Sequence, residues 1–192
     1  MARPTYFETS VFIEAAARRS TLKKSIRELL KAFGEDKTRV YTSILTVQEM
    51  SVAVFLRGAG VRDTYGDISK IARIYTINKE IAMTAAKYEA ALKDITAAEQ
   101  AKRDPKKPET EDQKLERICE NRRRKWDCIH LATAVHLGCE YMYSTDKDLQ
   151  KRPKQLGIDL KVLSPDVPLP SIRGPLVKGV ESQTIRGSET KK

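Results

Sequence analysis

Short β-prone runs alternate along this 192-residue chain with longer stretches in which apolar residues recur at helical spacing. That alternation limits the possible folds more than any other feature. Strands joined by helical crossovers lie parallel, and a parallel sheet must be covered by helices on both faces. The runs Pro4–Glu8, Arg39–Ser43, Ala72–Thr76, Tyr141–Tyr143 and Leu160–Leu163 predict strands. Val11, Phe12 and Ile13 open a first helix, with Thr9 or Ser10 as its cap. Leu22, Ile26, Leu29, Leu30 and Phe33 mark a second, which Gly34 would end. A third runs from Thr46 to about Leu56 and closes near Gly58 and Gly60. A short helix falls within 63–71, and a long one follows the Asn78 cap from Lys79 to about Glu99. Asp127 to His136 is helical again and ends at Gly138. The expected fold is an α/β three-layer sandwich over residues 4–163, with a mainly parallel central sheet flanked by helices.

Two stretches lack any period. Residues 102–114 hold two prolines, mixed charge and no apolar side chain, which predicts an exposed loop. A helix would resume at Leu115–Cys119, before the basic run Arg122–Lys125. Residues 164–192 carry Pro165, Pro168, Pro170 and Pro175 and read as an extended basic tail.

The formal net charge of +10 favours polyanionic partners, reached through phosphate contacts. Cys119, Cys128 and Cys139 have no CxxC spacing, and His130 and His136 do not complete a zinc pattern. Buried free thiols at Cys128 and Cys139 suit a reducing cytoplasm, the expected location. Residues 1–20 do not have the pattern of a signal peptide, and no apolar run reaches membrane-spanning length.

Four acids lie where an apolar run meets a turn or a helix start: Glu8, Glu49, Asp127 and Asp146. Each has an ordinary explanation. Glu8 can complement a helix dipole, and Glu49 can form a capping box with Thr46. Asp127 can cap its helix, and Asp146 and Asp148 are turn aspartates. Open parallel sheets, however, gather ligands beyond the carboxyl ends of their strands, where Glu8 and Asp146 fall. Carboxylates converging there repel each other unless cations lie between them, which makes a site for hard ions such as Mg²⁺.

The strings Tyr6-Phe7-Glu8-Thr9-Ser10-Val11-Phe12-Ile13, Thr46-Val47-Gln48-Glu49, Trp126-Asp127-Cys128-Ile129-His130-Leu131-Ala132-Thr133-Ala134 and Met142-Tyr143-Ser144-Thr145-Asp146-Lys147-Asp148-Leu149 together resemble a PIN-domain protein. Their order is similar to that in the VapC-type toxin ribonucleases of toxin–antitoxin pairs. The resemblance implies an acidic pocket for Mg²⁺ or Mn²⁺ and cleavage of RNA by metal-activated water, leaving a 5′ phosphate and a 3′ hydroxyl. The family acids map to Glu8, Glu49, Asp127 and Asp146, with Asp148 auxiliary. Ser144 matches the small hydroxyl residue before the last acid, and Leu149 the apolar residue after it. An antitoxin that offers Arg or Lys to the pocket is implied. So is a homodimer formed through apolar surfaces of the early helices.

One departure stands out: Glu8 occupies a position where Asp is usual. Its extra methylene can shift a metal, so a catalytically weak RNA-binding module is the alternative expectation. Arg122, Arg123, Arg124 and Lys125 form a candidate phosphate track leading to Asp127. Trp126 is expected to pack on the core, and His130 and His136 are read as structural.

Overall fold

The computed structural model describes residues 4–17, 19–33, 39–56, 63–100 and 110–167. Its strands are β1 (Thr5–Phe7), β2 (Val40–Ser43), β3 (Arg73–Tyr75), β4 (Tyr141–Tyr143) and β5 (Lys161–Leu163). They pair in the order β3-β2-β1-β4-β5, every pair parallel, with Thr5 opposite both Val40 and Tyr141. From β1 the chain first builds outward to β2 and β3. It then returns beside β1 as β4 and builds the other way. The junction of β1 and β4 is therefore the topological switch point, where adjacent crossovers diverge and leave a crevice.

Seven helices are described: α1 (Thr9–Ala16), α2 (Lys23–Phe33), α3 (Ile44–Leu56), α4 (Thr64–Ser69), α5 (Lys79–Gln100), α6 (Glu111–His136) and α7 (Lys147–Leu156). Strand alternation divides the core between two layers. Phe7, Val40 and Tyr143 face one side and pack with Val11, Phe12, Ile26 and Phe33 of α1 and α2. Phe7 meets the Phe33 and Tyr143 rings edge to face, each at 5.7 Å. Tyr6 and Met142 face the other side, against Leu131 and Ala134 of α6 and Leu149 of α7. Ile81, Ala85 and Leu92 of α5 complete that layer through Cys128 and Ala132. The result is the expected three-layer α/β sandwich. Among the described residues, no helix is long and apolar enough to cross a membrane.

Local structure departs from expectation in three places. Helix α6 starts at Glu111, so Asp127 lies well inside it and caps nothing. A capping box between Thr110 and Gln113 starts the helix, and Arg and Lys, good helix formers, carry it through the basic run. The absence of apolar residues had marked 110–114 as loop; 102–109 lie outside the described residues. Helix α3 begins at Ile44, directly after β2, so Thr46 is inside it and no Thr46–Glu49 capping box forms. Trp126 is 41% exposed rather than packed on the core. The expected stops at Gly34, Gly58 and Gly60, and the tail beyond Val167, fall outside the described residues. Cys128 and Cys139 are buried free thiols, as expected, and Cys119 is exposed.

Candidate metal centre

Glu8 follows β1 and Asp146 follows β4, at the carboxyl ends of the two strands that form the switch point. Glu8 is the N-cap of α1. Its Oε2 accepts from the Ser10 backbone N–H at 3.0 Å, from the Ser144 hydroxyl at 3.0 Å and from the Ser10 hydroxyl. Glutamate is a rare cap, because its reach usually overshoots. Here the longer side chain folds back over the helix start. The Ser144 hydroxyl also accepts from the Asp146 N–H at 3.0 Å, and the Ser10 hydroxyl accepts from the Thr145 N–H at 2.9 Å. Ser10 and Ser144 thus tie the β1 and β4 loops together beneath the carboxylates. Asp146 caps α7, accepting from the N–H groups of Asp148 and Leu149 at 2.8 and 3.3 Å.

Glu49 approaches from α3. The Thr9 hydroxyl donates to its Oε2, and His130 Nε2 lies 3.3 Å from the same atom. The Thr9 hydroxyl also lies 3.2 Å from that of Thr46, and the Thr42 hydroxyl lies 2.8 Å from both the Phe7 carbonyl and the Thr46 hydroxyl, so hydroxyls link β1, β2, α1 and α3. His130 is fully buried, and its Nδ1 lies 2.7 Å from the Tyr6 hydroxyl. One turn earlier on α6, Asp127 forms an ion pair with Arg152 of α7, Oδ2 to Nη1 at 2.6 Å.

The electrostatics are those of crowded acids. Burial pushes the Asp127 carboxyl up to about 6; Arg152 and His130 oppose the shift, while Asp146 and Glu8 add to it. Burial would raise Glu49 as well, but the hydrogen bond and charge of His130, with Thr9, bring it below the usual carboxylate value. His130 moves the other way: burial would lower it, yet Glu49, Glu8 and Asp127 hold it raised. One ligand atom each from Glu8, Glu49 and His130 lie within 4.8 Å of one another. A single cation with bonds of roughly 2.0–2.5 Å spans that distance. Charge excess and donor spacing both fit a divalent ion.

Asp148, the expected auxiliary acid, is exposed and paired with Lys151 at 2.9 Å, which holds its carboxyl below the usual value. Of the basic run, Arg122, Arg123 and Lys125 are exposed, whereas Arg124 is buried and paired with Glu120 at 3.2 Å. The α6 period turns that one side chain inward. His136 is exposed and lies 3.3 Å from the Asn78 amide, at the far end of α6.

The family model of the PIN domain matches residues 5–155. The chain belongs to the PIN-domain family. Among solved structures, it is similar to the VapC20 toxin of Mycobacterium tuberculosis, described as cleaving the sarcin–ricin loop. The two are 14% identical; the match covers 82% of this chain and 98% of that one, with a TM-score of 0.45. No curated protein matches significantly.

Sequence reasoning did not assign site roles to two residues of this PIN-domain centre. His130 lies three residues after Asp127, so both share a helix face; that spacing was a usable signal. Arg152 carried none, because only the packing of α7 on α6 brings it to Asp127.

Proposed function

We propose that this PIN-domain protein is a metal-dependent endoribonuclease of the toxin type. What best supports the proposal is Glu8 and Asp146 at the carboxyl ends of β1 and β4, beside an Asp127 that burial, with both of them adding, pushes up to about 6, and a Glu49 oxygen within 4.8 Å of one from Glu8. Those four side chains would hold Mg²⁺ or Mn²⁺. When bound, the ion supplies Lewis acidity and acidifies water for attack on the phosphodiester. The chain's own groups do the rest. Ser10 and Ser144 orient Glu8, Thr9 and His130 orient Glu49, and Arg152 fixes Asp127. Arg122, Arg123 and Lys125 offer exposed cations to the RNA phosphates.

The toxin assignment brings two partners, an antitoxin that inserts Arg or Lys into the acidic pocket and a second copy of the chain. One observation favours a second reading, an RNA-binding module that does not cut: Glu8 is already engaged as a cap and by two serines. Substitution separates the two. With RNA as substrate, Asp146→Asn abolishes cutting of a ribonuclease while the fold persists. A protein that binds RNA but cuts it only after Glu8→Asp supports the module. Undiminished cleavage by Asp146→Asn rules out the proposed role of that acid.

A further inference from the structure

We infer that His130 is a nitrogen ligand of this metal centre, which would therefore favour a first-row transition dication, Mn²⁺ included, over Mg²⁺. The inference rests on the metal-centre reading above and specifies its chemistry. His130 is 1% exposed, so its imidazole has no solvent to turn to. Its Nδ1 is close to the Tyr6 hydroxyl, at 2.7 Å. Among the described residues, its Nε2 makes long contacts, 3.3 Å to Glu49 and 3.4 Å to Thr9, at the outer limit for hydrogen bonds. A buried ring held firmly at one nitrogen and loosely at the other is arranged as metal-binding imidazoles are. The outer nitrogen donates to a fixed acceptor, which leaves the inner lone pair for the ion. With the ion bound and Nδ1 protonated, the Tyr6 hydroxyl would be that acceptor, and Nε2 would give up any proton it shares with Glu49. One His130 nitrogen lies within 4.8 Å of an oxygen of Glu8 and an oxygen of Glu49, and Nε2 is the nitrogen beside Glu49.

Mixed oxygen and nitrogen donors change selectivity. Mg²⁺ demands oxygen and holds its water tightly, whereas first-row transition dications accept imidazole, Mn²⁺ the least strongly of them. The experiment is pulsed electron paramagnetic resonance of Mn²⁺ bound to the full chain, with calorimetric titration of Mn²⁺ and Mg²⁺. The expected spectrum carries ¹⁴N coupling from one imidazole. That coupling persists in His136→Gln and vanishes in His130→Gln, where Mn²⁺ affinity falls about tenfold or more and Mg²⁺ affinity changes far less. Tyr6→Phe, which keeps the ring and loses the acceptor, retains the coupling and binds Mn²⁺ more weakly. Should His130→Gln not fold, the wild-type and His136→Gln spectra decide alone. Mn²⁺ bound without nitrogen coupling overturns the His130 inference and leaves the metal centre standing. No Mn²⁺ binding overturns both.

Discussion

Asp127 is the residue on which charge and stability meet. Its folded pKa of about 6 lies above the ordinary carboxylate value of 3.8. Folded protein therefore holds this proton more tightly than unfolded chain does, and metal-free stability contributed here falls as pH rises from about 4 to about 6. The shift corresponds to about 3 kcal/mol. Chemical denaturation across that window is expected to show the decline in wild type and its absence in Asp127→Asn; identical profiles would contradict the burial account. Saturating Mn²⁺ at pH 7 should restore stability by binding only the folded form. Arg152 has the complementary role. Arg152→Gln leaves a buried carboxylate without its cation and should destabilise metal-free protein by about 3 kcal/mol. Denaturant midpoints check this, and a change below about 0.5 kcal/mol would make the pair ornamental. Glu8, Glu49, Asp127 and Asp146 were legible as a set only because short motifs fell in a family order. Singly, a helix dipole, a cap or a turn explained each as well, and in the structure Glu8 and Asp146 cap helices.

Helix α6 links the pocket to the rest of the surface. It is a single 26-residue helix that carries Asp127 and His130 inside and Arg122, Arg123 and Lys125 outside. Converting those three exposed residues to Ala should weaken RNA binding and reduce the log–log salt slope by about 2, since each single-strand phosphate contact contributes about 0.7. Binding assays over a salt series measure this; an unchanged slope would place the RNA elsewhere. Arg124→Ala should instead act on stability, because its side chain is buried against Glu120. The strands were legible because short β-prone runs sit between strongly periodic helices. The start of α6 was not, since Thr110 to Lys114 signal a helix through capping and charge alone. Trp126 was misplaced for a related reason. Once α6 is continuous, its period and not its apolar neighbours decides which way the ring faces.

Five parallel strands with a switch point between β1 and β4 explain why acids 138 positions apart in sequence, Glu8 and Asp146, come together. The order of strands was not readable from the chain, because alternation specifies parallel pairing and not which strand lies centrally. Helix α3 leaves an apolar strip in the open: Val52, Phe55 and Leu56 are 45%, 62% and 82% exposed. The homodimer expected of the early helices should use it. Light scattering at micromolar concentration should give a dimer that Phe55→Ser with Leu56→Ser converts to monomer; a wild-type monomer would remove the dimer from the account. The decisive experiment is incubation of labelled RNA with the purified protein, with Mg²⁺, with Mn²⁺ and with EDTA, beside Asp127→Asn. Cleavage is expected with either ion, none with EDTA, and a loss of more than about a hundredfold in the variant. Cleavage that survives both EDTA and Asp127→Asn would contradict the metal centre.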